Sequence, residues 1–431
     1  MEQQETMKPF GMRDKIGYMF GDFANDFTFI LASMFLMKFY TNVMGISGGA
    51  VGTLFLVSRV VDAFTDITMG RIVDVARPAR DGRFRPWIRR MCGPVAIASF
   101  LMYQSSAADL SMGLKMAYMY VTYILWGSIF YTSINIPYGS MASAITQEPS
   151  ERTALSTYRG IGAGLAGLVI GVVVPFLVYD SDNNMIGSRM TLTAGVFSVL
   201  AIICYVICYR CTTERVTFEH KGDKSRITFK DTFGAVFKNR ALLGIIGAAI
   251  FLLLSQLLIQ SMNQYLYPDY FYNAKASSAW TVLTTITSFF IAPFSVKISE
   301  TFGKKEASSV GVLLTGALYL VLYFLHVKDA WMFTIISAVA FMGVNFFNLV
   351  IWANITDVID YQEVMTHQRE DGTVYAVYSF ARKIGQALAG GLGGWVLTAI
   401  GYDATAKIQS ERGQWITFST PVISFLRWHS C

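Results

Sequence analysis

Asp26, Asp62 and Asp66 are carboxylates near the middle of otherwise apolar stretches of the chain. An Asp at the centre of a membrane-crossing helix costs about 2.5 to 3.5 kcal/mol, whereas each Leu or Phe returns only a few tenths. Buried carboxylates therefore need a reason. Asp62 and Asp66 are four residues apart, so on a helix they project from one face. Two carboxylates that close repel, and one tends to hold a proton unless a cation sits between them. This is the chemistry of a coupling-ion site for Na+ or H+, and Thr65, Thr132 and backbone carbonyls could complete an oxygen shell. The competing outcome is neutralisation by fixed ion pairs with Arg59, one turn before Asp62, and with Lys383. The two outcomes are partly compatible, because ion pairs can break and re-form during gating.

Those residues need elements that hold them in hydrocarbon. The 431 residues are 53% hydrophobic and only 15% charged, with 32 Phe, 22 Tyr and 20 Met, which is a membrane composition rather than that of a soluble globule. Apolar stretches long enough to cross about 30 Å of hydrocarbon as helices occur near 16–42, 50–75, 88–108, 113–140, 155–179 and 190–210. A second set follows near 241–267, 276–298, 307–327, 331–353 and 374–400. No cleavable signal peptide is expected ahead of the first span. Arg77, Arg80, Arg83, Arg85, Arg89 and Arg90 crowd the link after the second stretch, while 43–50 carries no charge. The positive-inside rule then puts the N-terminus in the cytoplasm of a cell that carries the protein in its inner or plasma membrane. The net charge of +6 reads as topology signal, and no nucleic-acid or obligate protein partner is expected. Cys204, Cys208 and Cys211 share a helix face and read as packing, with no His near enough in sequence for a zinc site. No nucleophile, base or metal constellation suggests an enzyme, and no cofactor is expected.

An internal repeat divides the spans. Residues 159–167 (RGIGAGLAG) and 382–390 (RKIGQALAG) agree at six of nine positions, which makes the fifth and eleventh spans equivalent. Parallel duplication of a six-helix half builds the major facilitator architecture, with the substrate at mid-membrane between the halves. The expected fold is all-α and polytopic, two bundles of 6+6 helices with the twelfth apparently missing or incomplete. Expected boundaries are 1–210 for the first bundle, 211–240 for a cytoplasmic central loop, 241–400 for the second and 401–431 for an atypical tail, in which 415–426 is too short to span.

With those residues in hand the chain resembles the glycoside-pentoside-hexuronide:cation symporter family. The runs GDFANDF (21–27), SRVVDAFTDITMG (58–70), GRFRPW (82–87), TYILWG (122–127), NIPY (135–138) and DVIDY (357–361) carry the resemblance over about residues 11–400. It implies that Asp62 and Asp66 are cation-binding carboxylates with Thr132 as a neighbouring hydroxyl. It further implies that Asp26 and Arg159 bind sugar and that Lys383 is the helix-eleven lysine. Asn135, Tyr131 and Trp352 complete the expected sugar-binding set. The family's galactoside-transporting member has Asp where this chain has Asn135 and Trp where it has Gly139. One negative charge and one ring are thus absent, which makes the pocket roomier and less hostile to an anion such as a hexuronide. Thr65 stands where that member has Asn, so the choice between Na+ and H+ stays open.

Most of the remaining charge lies in or beside loops expected on the cytoplasmic side, with Arg59 inside the second span. Arg59, Asp74, Arg77, Arg83, Arg152, Asp357, Asp360 and Glu363 form the expected gating set, pairing and unpairing as the carrier changes state. The functional expectation is cation-coupled import of a glycoside, pentoside or hexuronide by alternating access. The alternatives are a major facilitator carrier of drugs or amphiphiles such as lysolipids, and a non-transporting sensor or degenerate homologue.

Overall fold

A computed structural model of the chain describes residues 9–216, 240–366, 371–399 and 401–402. Each of the eleven apolar stretches falls on a helix. The first half comprises α1 (Met12–Leu31), extended by π-helical turns at Ala32–Leu36 and Phe39–Val43, then α2 (Gly48–Val75) and α3 (Arg85–Leu101). After them come α4 (Met112–Ile124), a π-helical segment Leu125–Tyr131 that runs straight into α5 (Thr132–Ile145), α6 (Pro149–Val178) and α7 (Gly187–Cys211). The second half has α8 (Arg240–Tyr265) with a π turn at Leu266–Tyr270, α9 (Ala276–Phe302), α10 (Lys304–Leu325), α11 (Ala330–Ala340), α12 (Met342–Thr366) and α13 (Asp371–Ala399). The expected central loop falls largely at 217–239 and the expected tail almost wholly at 403–431, both outside the described residues, as are the side chains of Asp74, Trp352, Asp360 and Glu363.

Among the described residues five helical stretches are long and apolar enough to cross a membrane by themselves, including Ser150–Val178, Gly187–Cys211 and Lys304–Leu325. By contrast α1 carries Asp14, Lys15, Asp22 and Asp26, and α2 carries Arg59, Asp62, Asp66 and Arg71. Helices this polar depend on their bundle to satisfy the charges. The unusual composition of α1 and α2 and the candidate chemistry are thus one feature.

The chain forms two compact units. One comprises Met1–Ser47 with Val57–Lys221, the other Gly48–Leu56 with Gly222–Cys431. In the first, α1 packs between α6 and α7. Small residues allow the approach: a Cβ on Gly162 would lie 2.4 Å from the Met19 carbonyl oxygen. In the second, α8 packs on α13, and α10 crosses α12 where Gly311 meets Gly343. A Cβ on Gly343 would sit 1.9 Å from the Gly311 carbonyl oxygen, so only glycine permits that crossing. The second unit's core is a cluster of large side chains that includes Tyr267, Trp280, Phe333 and Phe341.

The turn between α2 and α3 is held by charge. Glu214, just past α7, accepts hydrogen bonds from the backbone N–H groups of Arg83 (2.7 Å), Phe84 (2.9 Å) and Arg85 (2.7 Å). Its carboxylate thereby caps the N-terminus of α3, where unpaired N–H groups and the helix dipole favour an anion. Gly82, with φ +117°, supplies the backbone conformation that lets this turn close around Glu214. Tyr209 donates to Asp81 (2.8 Å), and Arg89 lies 3.5 Å from the same carboxylate. Burial alone would raise the Asp81 carboxyl, but the Tyr209 hydroxyl, the local backbone, Arg89 and Arg85 outweigh it and hold it below the ordinary carboxylate value.

Candidate functional site

In the first unit Asp62 and Asp66 project from one face of α2, and each meets a hydroxyl from the α4 to α5 rod. Ser128 donates to Asp62 Oδ1 at 2.5 Å and Thr132 donates to Asp66 Oδ1 at 2.9 Å. The two rungs repeat with the same i, i+4 offset on both rods, which fits two spans that run in the same direction. Ser128 lies within the π-helical segment Leu125–Tyr131, and Thr132 also reaches back to the Gly127 carbonyl, five residues earlier, at 3.3 Å. An ordinary α-helix has 3.6 residues per turn, and the wider turn re-aims the side chains that follow it. The extra width is what brings both hydroxyls onto the Asp face.

Arg59 is the third participant. Its guanidinium contacts Asp62 Oδ2 at 3.0 Å, with the two side chains 21% and 10% exposed, and lies 5.9 Å from the centre of the Phe29 ring. Asp62 thus carries both an ion pair and a hydroxyl bond. Thr65 turns its hydroxyl back to the carbonyls of Val61 (3.3 Å) and Asp62 (3.2 Å), so it lies beside the pair without contacting a carboxylate.

A second cluster surrounds Arg159 on α6. Its Nε donates to Asp22 Oδ1 at 3.0 Å, and the guanidinium lies over the Tyr138 ring at 5.4 Å. Tyr138 in turn stacks on Tyr18 with ring centres 4.6 Å apart, and each hydroxyl donates to the other residue's carbonyl. Asn25 joins Asn135 (3.4 Å) and accepts from the Tyr205 hydroxyl (2.7 Å). Asp26 lies half-buried on α1, one turn beyond Asp22. Trp126 is buried between Tyr123 and Tyr131, and its indole N–H has no hydrogen-bond partner among the described residues.

The other expected residues divide by unit. Arg83 donates from Nε to the Val73 carbonyl (3.2 Å), and Arg152 donates from Nε to the Thr146 carbonyl (2.9 Å), both within the first unit. Arg77 is exposed. In the second unit Asp357 pairs with Lys304 at 2.7 Å, and Lys383 lies half-buried on α13. Two amides outside the expected set, Asn345 and Asn348, bond to the Thr284 carbonyl (3.0 Å) and to Gln256 (3.4 Å), which makes them helix-to-helix links. Cys204 and Cys208 are buried, Cys211 is half-buried, and all three are free thiols.

Ser128, Asp22 and Asn25 were not among the expected site residues. Asp22 was discoverable, because with Asp26 it repeats the four-residue spacing of Asp62 and Asp66. Ser128 was not: its alignment with Asp62 depends on a π turn that hydrophobic periodicity does not register.

Helices of this length carrying ion-paired carboxylates and arginines within apolar spans define a multi-pass membrane protein with a functional polar interior. Residues 17–426 match the family described as MFS/sugar transport protein, a match that also takes in most of the tail left outside the sequence resemblance. The chain belongs to that family, and it is a major facilitator transporter of the sugar-symporter kind. It is 32% identical over 399 residues to the uncharacterized symporter YjmB of Bacillus subtilis, covering 92% of this chain and 85% of that one. It is also 32% identical over 396 residues to the glucuronide carrier protein homolog of Escherichia coli, covering 91% and 84%. Among solved structures it is similar to a bacterial homologue of the human lysosomal transporter Spinster, with TM-score 0.71 and 11% identity over 98% of this chain and 94% of that one. That similarity concerns fold alone.

Proposed function

We propose that the protein is a cation-coupled sugar symporter of the cell membrane, N-terminus cytoplasmic, importing a glycoside, pentoside or hexuronide by alternating access. The observation that carries this reading is the doubled rung of Asp62 with Ser128 and Asp66 with Thr132. Two carboxylates and two hydroxyls on facing rods offer the hard oxygen donors that Na+ requires, and the same carboxylates can carry H+. Thr65 stands one turn away as a further oxygen. Entry of a cation competes with Arg59 for Asp62, so loading the site loosens an ion pair that the empty carrier keeps.

Sugar binds through Asp26, Asn135, Arg159 and Tyr131 of the N-terminal bundle, together with Trp352 and Lys383 of the C-terminal one. The bundles are residues 1–210 and 241–400, joined by the central loop. Arg59, Asp74, Arg77, Arg83, Arg152, Asp357, Asp360 and Glu363 make and break pairs as the bundles rock. No covalent chemistry is involved. The family membership and the relative named for glucuronide support the substrate class.

The test is a binding screen on purified protein across galactosides, glucosides, xylosides and hexuronides, with Na+, Li+ and pH varied. One sugar class bound more tightly in the presence of one cation is the expected result. Sugar affinity indifferent to every cation and to pH contradicts symport.

A further inference from the structure

Arg159 is the fixed positive charge of the proposed sugar site, yet the carboxylate it bonds is Asp22, which is not among the expected site residues. The Asp22 residue is only 7% exposed, and its carboxylate holds Nε at 3.0 Å. The Arg159 side chain keeps 38% of its surface exposed. The Tyr138 ring, backed by Tyr18, supports the guanidinium face. Guanidinium carries five N–H donors in a planar fork, and Nε accounts for one. A buried acid on one edge, an aromatic plane beneath and an accessible remainder make an oriented anion receptor that already contains one anion.

We propose that Asp22 is an internal counter-anion that sets which charge class of sugar the carrier accepts; the proposal rests on the sugar-transport reading above. With Asp22 ionised, the pair is neutral and a carboxylate- or sulfonate-bearing sugar gains little from Arg159 beyond hydrogen bonds, while its charge is repelled by Asp22. A neutral glycoside suffers no such repulsion. Asp22 therefore holds the guanidinium in the orientation that a substrate needs while moderating its attraction for anions. Removing the charge but keeping the acceptor, as in Asp22→Asn, leaves Arg159 oriented but without its bonded counter-charge, while Asp26 one turn away is unchanged. The positive field of Arg159 then falls on the substrate.

The experiment compares methyl β-D-glucuronide with methyl β-D-glucoside, two ligands of one shape that differ in charge at C6. Their affinities are measured for the purified full chain, for Asp22→Asn, for Arg159→Gln and for the double variant, with monodispersity and melting temperature checked for each. Loss of one unit charge a few ångströms from the ligand at an effective dielectric near 20 predicts a rise of about tenfold or more in the glucuronide-to-glucoside affinity ratio in Asp22→Asn. In the Arg159→Gln background the same substitution gives a smaller rise, because it relieves only the direct repulsion by Asp22 and releases no guanidinium. Asp22→Ser, which also keeps a hydrogen-bond acceptor, reads the same ratio if Asp22→Asn folds poorly.

A ratio unchanged or lowered in the folded Asp22 variants overturns the proposal, as does a rise just as large in the Arg159→Gln background. Parallel loss of both affinities makes Asp22 a structural residue only and also overturns it. If the wild-type chain binds no sugar of the wider panel, the sugar-transport reading fails and this proposal fails with it. A wild type that binds sugar while the ratio stays fixed removes the proposal alone.

Discussion

Asp62→Asn separates the structural and the functional duties of one carboxylate. The wild-type side chain meets Arg59 at 3.0 Å and Ser128 at 2.5 Å. The amide keeps an acceptor for Ser128 but offers Arg59 no charge. Breaking a fully buried pair costs about 3 to 5 kcal/mol. Arg59 keeps 21% of its side chain exposed, so solvent screens part of that and a loss of about 2 to 3 kcal/mol is expected. In the purified protein this reads as a melting temperature several degrees lower. The functional loss is larger. One charge moving down 100 mV contributes about 2.3 kcal/mol, enough for roughly 50-fold accumulation in wild-type proteoliposomes. The variant is expected to reach only parity while still catalysing downhill exchange. Asp66→Asn keeps its Thr132 bond through the amide oxygen, so it should lose accumulation with a smaller fall in melting temperature. Wild-type accumulation in Asp62→Asn refutes the coupling role, and an unchanged melting temperature refutes the structural weight given to the Arg59 pair.

Glu214→Ala removes three acceptor bonds from the start of α3 and should cost about 2 to 4 kcal/mol; protease cleavage of the 77–85 turn should accelerate, and an unchanged rate counts against the cap. Gly343→Ala drives a methyl into the Gly311 carbonyl and should cost about 1 to 3 kcal/mol, read as lower yield and melting temperature, whereas a neutral effect would show that α10 and α12 are not so close. The depressed Asp81 carboxyl contributes stability that is complete above its unfolded value, about pH 4, and lost as pH falls through the lower folded value. Fluorescence of Trp87 should follow that loss on acidification, and Tyr209→Phe, which deletes the hydroxyl bond, should move the transition upward in pH. No movement in that variant contradicts the cause assigned to the shift.

Span positions were legible because a helix in lipid must be apolar for about 20 residues, and all eleven stretches fall on helices. Asp62 and Asp66 were legible for the opposite reason, since a carboxylate in such a stretch is expensive. Less legible were partners set by tertiary register. Nothing in the sequence order shows that Arg159 turns to Asp22, or that Asp357 finds Lys304 in its own unit. The π segment at Leu125–Tyr131 lies in an unbroken apolar run, so periodicity gave no warning of it. The amides Asn345 and Asn348 illustrate a common ambiguity: the same residue type serves a sugar hydroxyl or a neighbouring helix, and here the bonds go to helices.

Coupling between cation and sugar is the central claim, and linkage makes it measurable in both directions. Titrating sugar into the purified chain with and without the coupling cation gives one affinity ratio, and titrating the cation with and without sugar gives another. The account predicts that both ratios exceed one and are equal, and that both collapse to one in Asp66→Asn. Ratios of one in the wild-type protein, for Na+, Li+ and H+ alike, would contradict it.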